Sequence, residues 1–288
     1  MQFSHLSAGI RILSGLTISL VIRTLPAAAA PASAWSDTSQ SQVRLVAAVD
    51  SVGPGSTLEL GLQFRLEPGW KIYWRSPGDA GVPPVLRWTG SENLATAEVR
   101  WPAPHRFNLY GLDTFGYSDE VVLPIRLAPA APGQPVRLKL ALSYGICKDV
   151  CIPYAATLQL ALPAGAGAGS PFAALIRRYQ DLVPRTGPVP DLALGQVDIK
   201  RGEGAATLVV TATSTVPFGE PDLLVEGPDG AHFAKPQVRL GQDGHAARFR
   251  STIDLADMPK TAGETRLVLT LIDGRRAIER QVTVPPLR

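Results

Sequence analysis

Val136-Arg137-Leu138-Lys139-Leu140-Ala141-Leu142-Ser143-Tyr144 alternates strictly: Val136, Leu138, Leu140, Leu142 and Tyr144 share one face, with Arg137, Lys139 and Ser143 opposite. A period of two marks a strand with one face buried and one in water. The pattern resumes at Leu158, Leu160 and Leu162, then at Leu267, Leu269 and Leu271, and again at Ile278, Val282 and Val284. The 27 glycines and 26 prolines cut the chain into short segments between these runs. Many short alternating strands bounded by turn signals predict an all-β chain of antiparallel sandwiches.

Between the first two runs lies Tyr144-Gly145-Ile146-Cys147-Lys148-Asp149-Val150-Cys151-Ile152-Pro153, which holds both cysteines of the chain. On the spacing of the flanking runs, the first strand ends near Tyr144 and the next starts near Ala156. The pair therefore occupies a connection at one end of a sandwich, where function-bearing loops gather. Extended, residues four apart lie about 13 Å apart at Cα, and a disulfide needs roughly 4.4–6.8 Å, so a bond between them requires a turn. The closed loop is tiny, giving roughly 2 kcal/mol by chain entropy. A chain of 288 residues can bury a core without such a staple. Three chemistries fit: a redox pair, a structural disulfide in a non-catalytic interaction sandwich, and a Cu(I) site built from two thiolates. Lys148 favours a thiolate and Asp149 opposes it. No histidine or methionine stands near the cysteines in sequence, although copper-carrying sites usually recruit one; His105, His232, His245 and Met258 are all distant.

The N-terminus reads as a secretory leader: Arg11, an apolar run from Ile12 to Ile22, and a small-residue stretch ending Ala32-Ser33-Ala34, with Ala30 as a second cleavage point. The apolar run is too short to cross a bilayer as a helix, which takes about 20 residues, and no membrane insertion of the mature chain is expected. Residues 1–34 are thus expected to be a cleaved signal peptide and the mature protein exported, which in a bacterium means the periplasm. The formal charge is +3, and losing Arg11 and Arg23 with the leader leaves +1. Without a basic stripe, nucleic acid is not an expected partner.

Ser170 and Pro171 have the character of an N-cap and first helical residue, and Phe172, Leu175, Ile176, Tyr179 and Leu182 recur at helical spacing. Ala164-Gly165-Ala166-Gly167-Ala168-Gly169 precedes them, and Pro184, Pro188 and Pro190 follow. The glycine run has Ser170 at its sixth position and no parallel βαβ pattern around it, so it reads as linker rather than as a dinucleotide loop. P-loop, H-E-x-x-H and G-x-S-x-G patterns do not occur. The expected organisation is a first sandwich over 36–164 that holds the cysteine pair, a Gly/Pro-rich linker with one short helix over 165–191, and a second sandwich over 192–288. In the second sandwich Asp222, Glu226 and Asp229 fall in turn-rich sequence and read as solvated.

Further stretches carry a family likeness: Gly69-Trp70-Lys71-Ile72-Tyr73-Trp74-Arg75-Ser76-Pro77-Gly78-Asp79-Ala80-Gly81, Trp101-Pro102-Ala103-Pro104, Tyr117-Ser118-Asp119-Glu120-Val121-Val122-Leu123-Pro124 and the cysteine segment itself. In this order they resemble the N-terminal periplasmic domain of the disulfide reductase DsbD, in the form found in its copper-tolerance relative ScsB. The likeness covers about 42–163 and, in the ScsB-like branch, the second domain as well. It implies immunoglobulin-like domains whose cysteine pair, here Cys147 and Cys151, passes electrons with no cofactor or metal beyond the disulfide. It implies a thiol:disulfide oxidoreductase with two kinds of partner: a membrane thiol transporter of the DsbD or CcdA type, and periplasmic thioredoxin-fold proteins. Cys151 aligns with the cysteine that attacks the partner. Cytochrome c maturation, isomerase reduction and copper stress are all open as settings.

The family also shields its disulfide with an aromatic cap loop, which aligns with Phe107-Asn108-Leu109-Tyr110-Gly111. The capping phenylalanine falls on Leu109 and the family's acidic pair on Phe107 and Asn108; Tyr110 and Gly111 match, and Tyr73 matches a tyrosine lining the site. The cysteines are also spaced more closely here than in DsbD. As ordinary sandwich residues, Tyr73, Trp74, Tyr110 and Tyr117 would simply be core, since aromatics favour strands. The family's membrane and thioredoxin domains are not found before Arg288, so the resemblance is to a free-standing N-terminal module acting in trans.

Overall fold

The computed structural model describes residue 2 and residues 30–287, apart from 56, 188, 203–204, 229–230 and 257–262. Most of the expected leader, and Asp229 and Met258, lie outside the described residues. The first sandwich contains β1 (Ser36–Asp37), β2 (Ser41–Ala47), β3 (Leu58–Leu66), β4 (Lys71–Gly78), β5 (Val85–Arg87) and β6 (Thr96–Val99). It continues with β7 (His105–Leu109), β8 (Leu112–Ser118), β9 (Glu120–Ala128), β10 (Val136–Cys147) and β11 (Cys151–Leu162). Helix α1 (Ala173–Gln180) follows. The second sandwich contains β12 (Arg185–Thr186), β13 (Leu192–Arg201), β14 (Ala205–Ser214), β15 (Asp222–Glu226), β16 (His232–Phe233), β17 (Gln237–Leu240), β18 (Ala246–Asp254), β19 (Thr265–Asp273) and β20 (Arg276–Val284).

In the first sandwich, sheet β1-β2-β3-β9-β6 packs against sheet β11-β10-β4-β8-β7, with β5 beside β10. The second pairs sheet β12-β20-β19-β15 with sheet β13-β14-β18-β16, with β17 beside β18. Among the described residues, the named strands pair antiparallel except for β12 with β20. Both are immunoglobulin-like sandwiches, as the alternation and the family likeness predict. The inward residues of β10 fall on the buried face the pattern predicts, and with Leu45, Leu62, Phe64, Ile72 and Trp74 they form the first core. Tyr144 sits edge-on to Phe64 at 5.4 Å, and its hydroxyl meets Ser41 Oγ at 3.3 Å. A second core gathers Leu208, Val210, Phe249, Leu269 and Leu271. Among the described residues, no helix is long and apolar enough to cross a membrane.

Three expectations change on folding. First, the strands flanking the cysteines are longer than their alternation suggests: pairing continues through Gly145↔Pro153 and Ile146↔Ile152 to Cys147↔Cys151. Pro153 is tolerated because β11 is an edge strand, where a missing N–H breaks no ladder bond. Second, the segment after β11 is held rather than loose. Asp50 N–H donates to Ala168 O at 3.0 Å, Gly165 N–H to Val52 O at 3.1 Å and Ser170 N–H to Ala48 O at 2.8 Å. Ser170 Oγ accepts from Phe172 N–H at 3.0 Å, and the helix starts at Ala173, two residues past Pro171. Ile176 and Tyr179 then enter the first core, so α1 packs as part of that sandwich.

Third, Asp222 and Glu226 are not simply solvated. Arg75 on β4 pairs with Glu226 at 2.6 Å and with Glu279 of β20. Arg106 on β7 pairs with Asp222 of β15 at 2.8 Å. Asp79 meets His232 at 3.0 Å, while Leu224 and Ile272 pack against the first core. Burial alone would weaken the charged forms of Arg75 and Arg106, but their carboxylate partners outweigh it and raise both pKa values.

The described end of the expected leader, residues 30–34, also takes part in the fold. Ser33 N–H donates to Leu45 O at 2.8 Å, and Pro31 O accepts from Ala47 N–H at 2.7 Å. Cutting after Ala34 would strip these bonds from β2, whereas cutting no later than Ala30 keeps them.

Candidate functional site at the cysteine hairpin

Cys147 closes β10 and Cys151 opens β11, and the two are disulfide-bonded with their Cα atoms 4.1 Å apart. The three residues between them form a tight loop in which Lys148 N–H donates to Val150 O at 3.1 Å. The two sulfur-bearing residues differ sharply in access: Cys147 is 1% exposed, and Cys151 is open to solvent. The difference follows from position. Cys147 also pairs with Lys71 of β4 and is covered by the sheet, while β11 is its outer edge.

Tyr73, on the neighbouring β4, is 3% exposed, and its hydroxyl lies 3.6 Å from Cys151 Sγ. A disulfide sulfur carries no proton, so the tyrosine donates. Burial raises the Tyr73 pKa, keeping the hydroxyl protonated and able to donate at neutral pH. Gly81, at φ +128°, presses onto this ring: a Cβ there would sit 2.4 Å from Tyr73 Cε1. Lys148 lies along Gly69, in the turn between β3 and β4.

The aligned cap segment forms the β7–β8 hairpin. Pairing of β8 with β4 is broken between Tyr73 and Gly78; such irregularities bend a strand. Phe107 lies under the Lys71 ammonium, 5.0 Å from its ring centre. At the tip, Tyr110 and Gly111 both have positive φ, 52° and 85°, the two-residue turn typical of tight hairpins. Tyr110 is 79% exposed, and its hydroxyl donates to Asp149 Oδ1 at 3.3 Å. The bond from the hairpin tip to the cysteine loop therefore comes from Tyr110. Leu109 pairs with Leu112 at the base of the turn and is half-buried. Asn108, in one of the family's acidic positions, accepts from Gly111 N–H at 3.2 Å and donates to Asp113 Oδ1 at 3.2 Å.

The aromatics divide. Trp74 and Tyr117 are core residues, and the Tyr117 hydroxyl donates to Pro102 O at 2.8 Å. Tyr73 and Tyr110 adjoin the cysteines. Val150 in the loop is 64% exposed, and Val82, Val85 and Leu112 are also open, with Val82 and Val85 flanking the end of β10. Sequence reading missed Gly81, Asp113 and Arg106. Gly81 stood within a quoted motif, but only the fold brings it to Tyr73.

Comparison with known proteins points the same way. Residues 41–163 match the family described as thiol:disulfide interchange protein DsbD, N-terminal. Residues 182–286 match a domain family of unknown function. No curated protein matches the chain. Among solved structures, the chain is similar to the N-terminal periplasmic domain of ScsB from Proteus mirabilis, at 25% identity and a TM-score of 0.70, over 89% of this chain and 99% of that one. The similarity spans both sandwiches.

Proposed function

We propose that this protein, whose residues 41–163 belong to the family of DsbD N-terminal domains, is a periplasmic disulfide-reductase relay module working through Cys147 and Cys151. Family membership itself gives the coarser statement, a thiol:disulfide interchange protein whose homologous domains are periplasmic. The relay, its partners and the roles of single residues go beyond that, with the sandwich of β1–β11 and α1 as the redox unit and that of β12–β20 as the second. The leader is cut no later than Ala30.

In the relay, a dithiol of a membrane thiol transporter attacks the Cys147–Cys151 bond. Two electrons and two protons pass to the pair, and the transporter is left as its disulfide. The reduced pair then meets an oxidised periplasmic thioredoxin-fold protein. The Cys151 thiolate attacks that partner's disulfide, forming one mixed S–S bond and releasing one partner thiolate. Cys147 gives up its proton and attacks Cys151 Sγ. This restores the Cys147–Cys151 disulfide and frees the partner as a dithiol. Exchange of this kind needs one reachable sulfur and a resolving thiol beside it.

The observation that carries the reading is the asymmetry of the pair, Cys151 open and Cys147 covered, with a buried tyrosine hydroxyl donating to Cys151. A hydrogen bond to a sulfur stabilises its thiolate. Tyr110 and Val150 offer apolar surface beside the pair, suited to a docking partner. The test mixes the reduced protein with oxidised periplasmic thioredoxin-fold proteins and counts thiols on each by alkylation and mass shift. Stoichiometric transfer is expected, and failure to reduce any of them would overturn the relay.

A further inference from the structure

The hydrogen bonds that hold the cap hairpin do not end within the first sandwich. Arg106, on β7, is 9% exposed at its side chain. Its Nε and Nη2 clasp both carboxylate oxygens of Asp222, at 2.8 and 2.9 Å, and Nη2 also donates to Leu223 O at 3.4 Å. Its Nη1 donates to Asp113 Oδ2 at 3.0 Å. Asp113 Oδ1 accepts from Asn108, whose own Oδ1 holds Gly111 N–H in the turn. Tyr110, the other turn residue, reaches Asp149 between the cysteines. A second tie meets Asp113 from the other side: its N–H donates to Asp79 Oδ2 at 2.8 Å, and Asp79 Oδ1 meets His232 of β16 at 3.0 Å.

We propose that the second sandwich is a positioning element for the cysteine loop, with Asp222 acting through Arg106 to hold the β7–β8 tip so that Tyr110 keeps its bond to Asp149 and steadies the loop that joins Cys147 to the exposed Cys151. The chain is continuous from β15 to the loop, and its strongest link is bidentate, charge-assisted and largely shielded from water, so solvent is a poor substitute for it. A two-residue hairpin with an exposed tip has little other packing to keep it closed. Asp222 and Arg106 are positioning residues; neither touches a sulfur. The proposal builds on the relay reading only in taking the disulfide to be reducible.

The test measures how fast excess dithiothreitol reduces the disulfide in the full chain, for wild type, Asp222→Ala, Tyr110→Ala and the double variant. Urea unfolding confirms that each remains folded. Asp222→Ala is expected to speed reduction at least about fivefold, the lower end of typical couplings between sites. That gain should vanish in the Tyr110→Ala background, because both changes release the same hold on the cysteine loop; Asp222→Glu should restore much of the wild-type rate. A merely structural Asp222 would lower stability without this non-additivity. Equal rates for wild type and Asp222→Ala, or a gain that survives undiminished without Tyr110, would refute the coupling. Normal dithiothreitol kinetics with no transfer to thioredoxin-fold proteins would instead refute the relay and leave the coupling standing.

Discussion

Cys147 and Cys151 face each other in one antiparallel register, yet only Cys151 is open to solvent. One strand lies inside its sheet and the other at its edge. In the proposed relay, an approaching disulfide would meet the edge sulfur, and the inner one would resolve what forms.

Trapping should follow this asymmetry. With Cys147→Ala, Cys151 has no resolving partner, so the mixed disulfide with a thioredoxin-fold protein should accumulate. With Cys151→Ala, trapping should fall at least about tenfold, since a buried thiol is a poor nucleophile. Non-reducing gels of the two variants with the same oxidised partner read this directly, and equal trapping would contradict the assigned order of attack.

Tyr73→Phe keeps the ring and deletes the donor to Cys151. A hydrogen bond to a charged group contributes roughly 1.5–3 kcal/mol, and one pKa unit corresponds to about 1.4 kcal/mol. The reduced variant should therefore show a Cys151 pKa raised by about one unit. The sign follows from the thiolate losing the group that stabilised it. The pH dependence of iodoacetamide alkylation, measured in a Cys147→Ala background, gives the value.

Gly81→Ala attacks the same contact from behind. A methyl group would overlap the Tyr73 ring on a backbone at φ +128°, which side chains rarely adopt. A cost of about 1–3 kcal/mol in urea unfolding is expected from strain and overpacking. The variant should also raise the Cys151 pKa, as Tyr73→Phe does. Destabilisation without any change at Cys151 would separate Gly81 from the site.

Ile176→Ala probes whether α1 is part of the first sandwich. Ile176 is 1% exposed, within the core that holds Leu62 and Phe64. Its truncation should cost about 2–5 kcal/mol, as for other buried aliphatics. A helix merely tethered between domains would lose almost nothing, so the shift in urea midpoint decides between the two.

Much of the architecture was legible before folding because its causes are local. Alternation from Val136 to Tyr144 reports which face is buried, since successive side chains point to opposite sides of a strand. Cysteine spacing and the surrounding motifs likewise pointed to the pair and to Tyr73. Helical spacing found α1, though not the sandwich it packs on.

What only the tertiary structure decided are relations between distant residues. Tyr73 meets Cys151 across 78 positions, Arg106 meets Asp222 across 116, and Arg75 meets Glu226 across 151. A carboxylate in turn-rich sequence looks the same whether water or an arginine faces it, so Asp222 and Glu226 carried no local sign of their partners. The access of each cysteine was equally hidden: two identical side chains four apart become unlike only when one strand joins the interior of a sheet and the other its edge. Sequence by itself determined the strands, the pair and the family likeness. Sheet order and domain packing decided which sulfur is exposed and what reaches the loop beside it, because exposure and ion pairing depend on neighbours that only folding brings together.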